Sequence, residues 1–288
     1  MSKPPENRSL PLSDQVRAGT YAEFSSSRRS AGGLFMTGYE ECSAGYHIER
    51  SGFPFWTMEL IAGGMGYFRD RSGGERPLRH GSVFAYGPGV PQSFGNRADR
   101  PFRKYFLVSS RREFPPVWAR AGLAPGSILQ LRAAGPILSI LDQLLDEGRR
   151  RDAQTPEVLN GFETVLYALL ARHAGSPRQA DSGAREAYDL VFDCLQRDFR
   201  ELATLGHLAA RTGYSGEYIC RLFKRFHGES PYQVLLQRKM SAAWLLLRDG
   251  QLSVAAVAEQ VGYEDPLHFS RRFRKLMGCP PGRVRARG

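Results

Sequence analysis

GYSGEYICRLFKRFHGESP, residues 213 to 231, is echoed by GYEDPLHFSRRFRKLMGCPP, residues 262 to 281. In the first copy, Leu205 to Arg211 reads as a short helix that stops at Thr212 and Gly213, because glycine takes the left-handed backbone of a tight turn without penalty. A second helix begins at Ser215, a good N-cap. On it Ile219, Leu222, Phe223 and Phe226 recur at i, i+3, i+4 and i+7, one apolar stripe for a core. At 100° per residue, Glu217, Arg221 and Lys224 then point away from the stripe, with Tyr218, Cys220 and Arg225 on its flanks. The second copy has a helix after Ser253 carrying Val254, Val257 and Ala258, a stop at Gly262, and a helix capped by Asp265 with Pro266 at its first position. Phe269, Phe273 and Leu276 form its stripe. Leu267, Arg271 and Arg274 face outward, flanked by His268, Ser270 and Lys275.

Two helices joined by a glycine turn, the second with a basic outer face, match the helix-turn-helix signature, in which the second helix enters the major groove of DNA. Finding it twice in one chain strengthens the reading, since chance would have to reproduce the turn, the aromatic stripe and the basic face together. Between the copies, Ser230 as N-cap, Pro231 at the first helical position and Gly250 as stop bracket a helix of roughly 27 Å. Successive major-groove segments on one side of a duplex lie about 34 Å apart. A stiff spacer of this length can therefore hold both outer faces on adjacent groove segments, so the repeat in the protein mirrors the helical repeat of the duplex.

The run LAARTGYSGEYICRLFKRFHGESPYQVLLQRKMSAAWLLL, followed by VAAVAEQVGYEDPLHFSRRFRKLMGCPPGRVR, resembles the DNA-binding domain of the AraC/XylS family of bacterial transcription regulators over residues 184 to 288. The Gly-Tyr turns, the Arg-Lys-Met of the connecting helix and the closing FSRRFRK with its G-x-x-P carry the resemblance. Val284 departs from it, standing where the family more often has an aromatic. The resemblance implies base-reading positions at Glu217, Cys220 and Arg221, and at Leu267, His268 and Arg271, nearly the outward set that helical geometry selects. Arg221 and Arg271 suit bidentate contacts with guanine, Glu217 can accept from cytosine N4, and Leu267 can pack on a thymine methyl. Lys224, Arg225, Arg274 and Lys275 suit phosphate contacts, which add affinity without sequence choice. His268 fits a phosphate or turn contact as well as a base contact, and Cys220 has no partner cysteine nearby.

The chain has 288 residues, 42% hydrophobic and 24% charged, with 40 Lys and Arg against 29 Asp and Glu and a net charge of +11. This suits a globular protein with polyanionic partners. Residues 185 to 288 hold 17 basic side chains against 11 acidic, and residues 1 to 184 hold 23 against 18, so the basic excess is denser toward the C-terminus. Cysteines at 42, 194, 220 and 279 show neither a CxxC pair nor a disulfide framework. With no apolar leader in the first thirty residues and no membrane-length apolar run, the expected location is the cytoplasm.

Upstream, LFMTGYEE, FWTMELIAGG, MGYFRD, SVFAYGPG and KYFLVSS read as strands of a meander closing as a barrel or sandwich. Ile137, Leu141, Leu144 and Leu145, then Val158, Phe162, Val165, Leu166 and Leu169, recur at helical spacing and predict an antiparallel helix pair. With these elements the expected fold is α+β in two domains, and the resemblance implies that the first is a cupin-like β-barrel with a helix pair and the second an all-α domain with two helix-turn-helix units joined by a long helix. The expected boundaries are an N-terminal arm over 1–33, an effector-binding and dimerisation domain over 34–173, a linker over 174–183 and a DNA-binding domain over 184–288.

The resemblance implies a small-molecule effector, sugar-type by family default, inside the barrel. Phe55, Trp56, Glu59, Tyr67, Arg69, His80 and Tyr86 are the candidate lining residues, although aromatic side chains can also simply fill a barrel of this size. His47 and His80 stand alone, and Gln92 occupies the place where metal-binding cupins often have a histidine, so neither a metal site, a cofactor nor a catalytic residue is assigned. The expected partners are double-stranded DNA, the effector, a second copy of the chain through the helix pair, and RNA polymerase if the protein is an activator; no membrane is expected. Two other readings stay open, a metal-dependent cupin enzyme tethered to DNA and an architectural DNA-binding protein that needs no effector.

Overall fold

The computed structural model describes residues 15–24, 33–69, 73–150, 152–175 and 182–285. Two compact units divide the chain at Pro177 and Arg178, the first rich in sheet and the second helical. Most of the segment expected as linker, residues 176–181, lies outside the described residues, as do residues 1–14 and 25–32 of the expected arm.

Among the described residues the first unit contains ten strands: β1 (Val16–Glu23), β2 (Leu34–Cys42), β3 (His47–Arg50), β4 (Trp56–Gly63), β5 (Gly66–Arg69), β6 (Glu75–Leu78), β7 (Ser82–Tyr86), β8 (Gln92–Asn96), β9 (Arg103–Ser109) and β10 (Ile128–Gln130). Helix α1 (Pro116–Arg120) precedes β10, and α2 (Gly135–Gly148) and α3 (Thr155–His173) follow it. The strands form a six-stranded sheet in the order β1-β2-β9-β4-β7-β10 and a four-stranded sheet in the order β3-β8-β5-β6, with antiparallel pairing between neighbouring strands. Residues 16–23, assigned to the arm by sequence, instead form β1 and pair with β2, with the Tyr21 ring 5.9 Å from that of Phe106.

The central strands β4, β7 and β9 of the larger sheet are buried on both faces, which explains why they alternate imperfectly in sequence. Trp56, Met58 and Leu60 of β4, Val83 and Ala85 of β7, and Tyr105 and Leu107 of β9 pack with Trp118 of α1, Ile137, Leu141 and Leu144 of α2, and Leu166 and Leu170 of α3. The opposite face presents Ile61, Phe84 and Tyr86 to Phe68, Leu78 and Phe94 of the smaller sheet. Helices α2 and α3 form the expected pair, but α3 buries only part of the expected stripe: Leu166 is in the core and Phe162 and Leu169 pack against it, whereas the two valines do not. Val158 and Val165 are 37% and 45% exposed, and the inward face is Glu163, Leu166, Tyr167 and Leu170. Tyr167 donates to the Glu163 carboxylate at 2.9 Å, a pairing that lets a charged residue occupy a core position which counting apolar residues assigns elsewhere.

The second unit comprises α4 (Ser182–Asp198), α5 (Leu205–Thr212), α6 (Gly216–Phe226), α7 (Pro231–Asp249), α8 (Val254–Gln260), α9 (Pro266–Met277) and α10 (Pro281–Arg285). The side chains of Thr204, Ser215, Ser230, Ser253 and Asp265 cap the helices that follow them, and Ser230 and Gln233 complete a capping box. Gly213 and Gly262 lie at φ 73° and 76° in the two turns, where a side chain would be strained. Each turn unit has its own core. Ile219, Leu222, Phe223 and Phe226 of α6 pack with Leu208 of α5 and with Tyr188, Val191, Phe192 and Leu195 of α4. Phe269 and Phe273 of α9 pack with Val257, Ala258 and Val261. Leu276, expected in that stripe, is 43% exposed, and Met277, four residues after Phe273, packs against the core in its place.

The first of these cores contains buried polar groups. Arg185 pairs with Asp189 at 3.2 Å, both almost fully buried, and the Tyr188 hydroxyl lies 2.9 Å from His227 Nδ1. Burial pushes the His227 imidazole down to about 4, so it stays neutral in the fold and takes up a proton on unfolding below its ordinary value near 6.5. A depressed folded value means that this stability is present above pH ~6.5 and is lost as pH falls toward 4. Thermal unfolding of the helical unit, followed by circular dichroism from pH 7 to 4.5, is expected to show a loss on the order of 2–3 kcal/mol, and His227→Gln should flatten that dependence.

Candidate nucleic-acid interface and sensor interior

Burial of the aromatic stripes fixes what α6 and α9 present to solvent. Glu217, Cys220, Arg221, Lys224 and Arg225 are all exposed on α6, and Leu267, His268, Arg271, Arg274 and Lys275 are all exposed on α9. The outward positions picked by helical spacing thus form one solvent-facing strip on each helix. On α6 the Arg221 guanidinium sits 5.6 Å from the Tyr218 ring centre, and that of Arg225 sits 5.2 Å from Phe226. These contacts lay each guanidinium beside an aromatic ring of its own helix while the side chain stays exposed.

On α9, Leu267 is 73% exposed. An apolar side chain held that far into water gains once a methyl-bearing surface covers it. Its backbone N–H donates to Asp265 at 2.8 Å, which anchors the first turn. His268 is braced from two sides, by the Tyr263 ring at 5.6 Å and by Arg272, whose Nε lies 3.4 Å from His268 Nε2. Arg272 was not among the residues selected from sequence, because helical phase places it beside the stripe; it is half-buried and steadies His268.

In the first unit, two of the seven proposed lining residues come together between the sheets. Glu59 of β4 is 3% exposed. Tyr86 of β7 donates to its Oε1 at 2.7 Å, and Lys104 of β9 lies 2.8 Å from its Oε2. Lys104 Nζ also pairs with Glu40 at 2.6 Å, between the rings of Tyr46 and Phe106. The carboxylates hold the Lys104 ammonium well above its ordinary range despite burial, which works the other way. No local pattern in KYFLVSS or LFMTGYEE marks Lys104 or Glu40 as interior; the pairing of β9 between β2 and β4 is what brings Glu40 and Glu59 to either side of the ammonium.

The other five stand apart from this cluster. Phe55 is 41% exposed and packs edge-on against Phe35 and Phe53 at the strand ends. Trp56 belongs to the face that packs on the helices, with its indole N–H donating to the Arg112 carbonyl at 3.2 Å, so the strand's two-residue period turns it away from the space between the sheets. Tyr67 and Arg69 lie on the opposite face of β5 from the buried Phe68. Tyr67 meets His47 Nδ1 at 3.0 Å, and Arg69 pairs with Glu75 at 2.7 Å in solvent. His80 is buried in the turn before β7, its Nδ1 3.0 Å from the Ala62 carbonyl oxygen. Among the described residues, no group of three or more His, Cys, Asp or Glu side chains is placed to hold a metal ion, and no helix is long and apolar enough to cross a membrane.

Comparison with known proteins bears on both units. Residues 35–181 match the AraC-like ligand binding domain, and residues 208–287 match a helix-turn-helix domain. An uncharacterised HTH-type transcriptional regulator of Escherichia coli K12 is 28% identical over 161 residues, which cover 53% of this chain and 53% of that protein; the chain thus spans about half the length of that relative. The raffinose operon transcriptional regulatory protein RafR of Pediococcus pentosaceus is 24% identical over 272 residues, covering 93% of this chain and 98% of that one. The arabinose operon regulatory protein of E. coli K12 is 24% identical over 251 residues, 84% of each chain. With a sheet-rich ligand-binding unit and a helical unit carrying two capped helix-turn-helix motifs, the chain belongs to the AraC family of DNA-binding transcription regulators.

Proposed function

We propose that the protein reads two adjacent major-groove segments of one operator through α6 and α9, and that a small organic effector held between the two sheets of the first unit changes that reading. The observation that carries the proposal is the pair of exposed basic strips on α6 and α9, each backed by its own aromatic core and both built on one helix, α7. In this reading Glu217, Cys220, Arg221, Leu267, His268 and Arg271 face base edges, and Lys224, Arg225, Arg274 and Lys275 face phosphates. The boundaries proposed for the working domains are 16–173 for the sensor, which takes in β1, and 184–288 for the DNA reader.

For the effector, the Glu59–Lys104–Glu40 cluster with the Tyr86 hydroxyl supplies buried donors and acceptors beside aromatic walls, the composition that orients a small polar molecule. The raffinose and arabinose operon regulators among its relatives make sugars the first class to test. The role is that of a regulator without catalytic activity, working in the cytoplasm, and a contact with RNA polymerase belongs to it where it activates. On α3, Val158, Phe162, Val165 and Leu169 follow a four-three-four spacing, and the two valines are exposed, which supports a coiled-coil-like homodimer seam.

Arg271→Ala is expected to weaken binding by about 1–3 kcal/mol at one or two base positions, whereas Lys275→Ala should weaken all sequences alike and lower the salt slope. Binding titrations over a set of single-base operator variants decide this, and uniform effects from both would refute the assignment of faces. A thermal-shift screen of sugars and small acids is expected to find one compound that raises the melting temperature saturably, the stabilisation reaching about 2.7 kcal/mol at a hundredfold excess over Kd, and Glu59→Gln should abolish most of the gain. Saturable stabilisation that survives Glu59→Gln undiminished would move the effector elsewhere. Val165→Glu is expected to shift the chain from dimer to monomer in sedimentation.

A further inference from the structure

Arg238 and Lys239 are adjacent on α7, roughly 100° apart around the helix, and they reach in different directions. The Arg238 guanidinium stacks 4.6 Å from the ring centre of Phe199, at the end of α4 in the first turn unit. Lys239 is 5% exposed; its Nζ donates to the Gly262 carbonyl at 3.0 Å and lies 5.3 Å from the centre of the Tyr263 ring, both in the turn of the second unit. Gly262 in turn abuts the first turn unit of the same helical domain, since a methyl group at that position would overlap the Arg200 carbonyl oxygen. Above this seam a cleft opens, lined by Arg200, Glu201 and His207 on one side and by Glu259, Tyr263 and Pro266 on the other.

A buried ammonium met by one carbonyl and one ring is an expensive way to fill a core position. Burial pushes the Lys239 amine down, and a methionine would pack there at less cost in desolvation. The bond fixes geometry instead. A hydrogen bond to one backbone carbonyl specifies both a distance and a direction, whereas apolar packing tolerates sliding. The carbonyl it grips belongs to the residue four positions before Pro266, where α9 begins.

We propose that Arg238 and Lys239 are positioning residues for DNA reading: together they lock the spacing and phase between α6 and α9, so that the protein discriminates operators by the distance between half-sites as well as by their bases. This rests on the reading of α6 and α9 as paired recognition helices. Neither residue touches DNA in this scheme; each acts through the unit it grips.

The test uses the full chain and duplexes that it selects from a random library. Binding is measured on the selected operator, on operators with one base pair inserted or deleted between half-sites, and on duplexes with one half-site scrambled. The wild type should lose at least about tenfold on the inserted and deleted operators. Lys239→Met should lose about tenfold on the intact operator, the equivalent of one charged hydrogen bond, should bind the altered spacings nearly as well as the intact one, and should match the wild type on single half-sites. Lys239→Arg, which can still donate to the carbonyl, should recover the discrimination.

Unchanged spacing discrimination in Lys239→Met, or an equal loss on single half-sites, would overturn the inference. If circular dichroism shows that Lys239→Met does not fold, Arg238→Met is measured on the same duplexes under the same expectations and is judged by the same two outcomes. Failure of the wild type to select any sequence would instead overturn the underlying reading of α6 and α9.

Discussion

Helix α7 is built into two cores at once. Its first half supplies Val234 and Leu235 to the core beneath α6, and its second half supplies Met240, Ala243 and Leu247 to the core beneath α9. A helix held this way at both ends behaves as a rod, because bending it would open one core or the other, and packed interiors give up contact energy for small gaps. The presentation of the basic strips depends on this constraint. Each strip faces solvent because its opposite face is buried, and the two strips keep a relation to each other because the buried faces share one support.

The first unit rests on a different compromise. The central strands of its larger sheet are largely apolar on both faces, one packed on α1, α2 and α3 and the other on the smaller sheet. A sheet of that kind could be filled entirely with hydrocarbon. Instead, Lys104 is held between Glu40 and Glu59 in its inner layer. The ions are tolerable because each meets opposite charge at hydrogen-bond distance, with Tyr86 satisfying a further carboxylate oxygen. Groups so arranged are costly to maintain and directional, which is the combination a recognition site requires.

The strands and helices that could be read in advance share one property: a local pattern sufficient to define them. The five strands expected upstream correspond to β2, β4, β5, β7 and β9, each dominated by apolar or aromatic residues. The strands that escaped notice are β1, β3, β6, β8 and β10, of which β1, β3, β6 and β10 lie at sheet edges. Short edge strands such as Glu75–Leu78, with its proline, need only one partner and carry little apolar signal. Strand β8 is central yet equally quiet, because its inner positions include Gln92 and Asn96. The interior between the two sheets was legible only in part for the same reason: Glu59 and Tyr86 stood out by type, whereas Trp56 and Tyr67 are aromatic too but face the other way.

By itself the sequence determined the second unit almost completely. Caps at Ser215, Ser230, Ser253 and Asp265, stops at Gly213, Gly250 and Gly262, and the period of the phenylalanines are local signals, and a helix obeys local signals because its hydrogen bonds close within four residues. Hence the outward faces of α6 and α9 could be named from spacing alone. What only the tertiary structure decided are the pairings between distant segments: Lys104 with Glu40 and Glu59, Glu163 inside rather than Val158, and Lys239 on the carbonyl of Gly262. Those choices are made by strand register and helix packing over tens of residues, and no period in the chain encodes which charge will meet which.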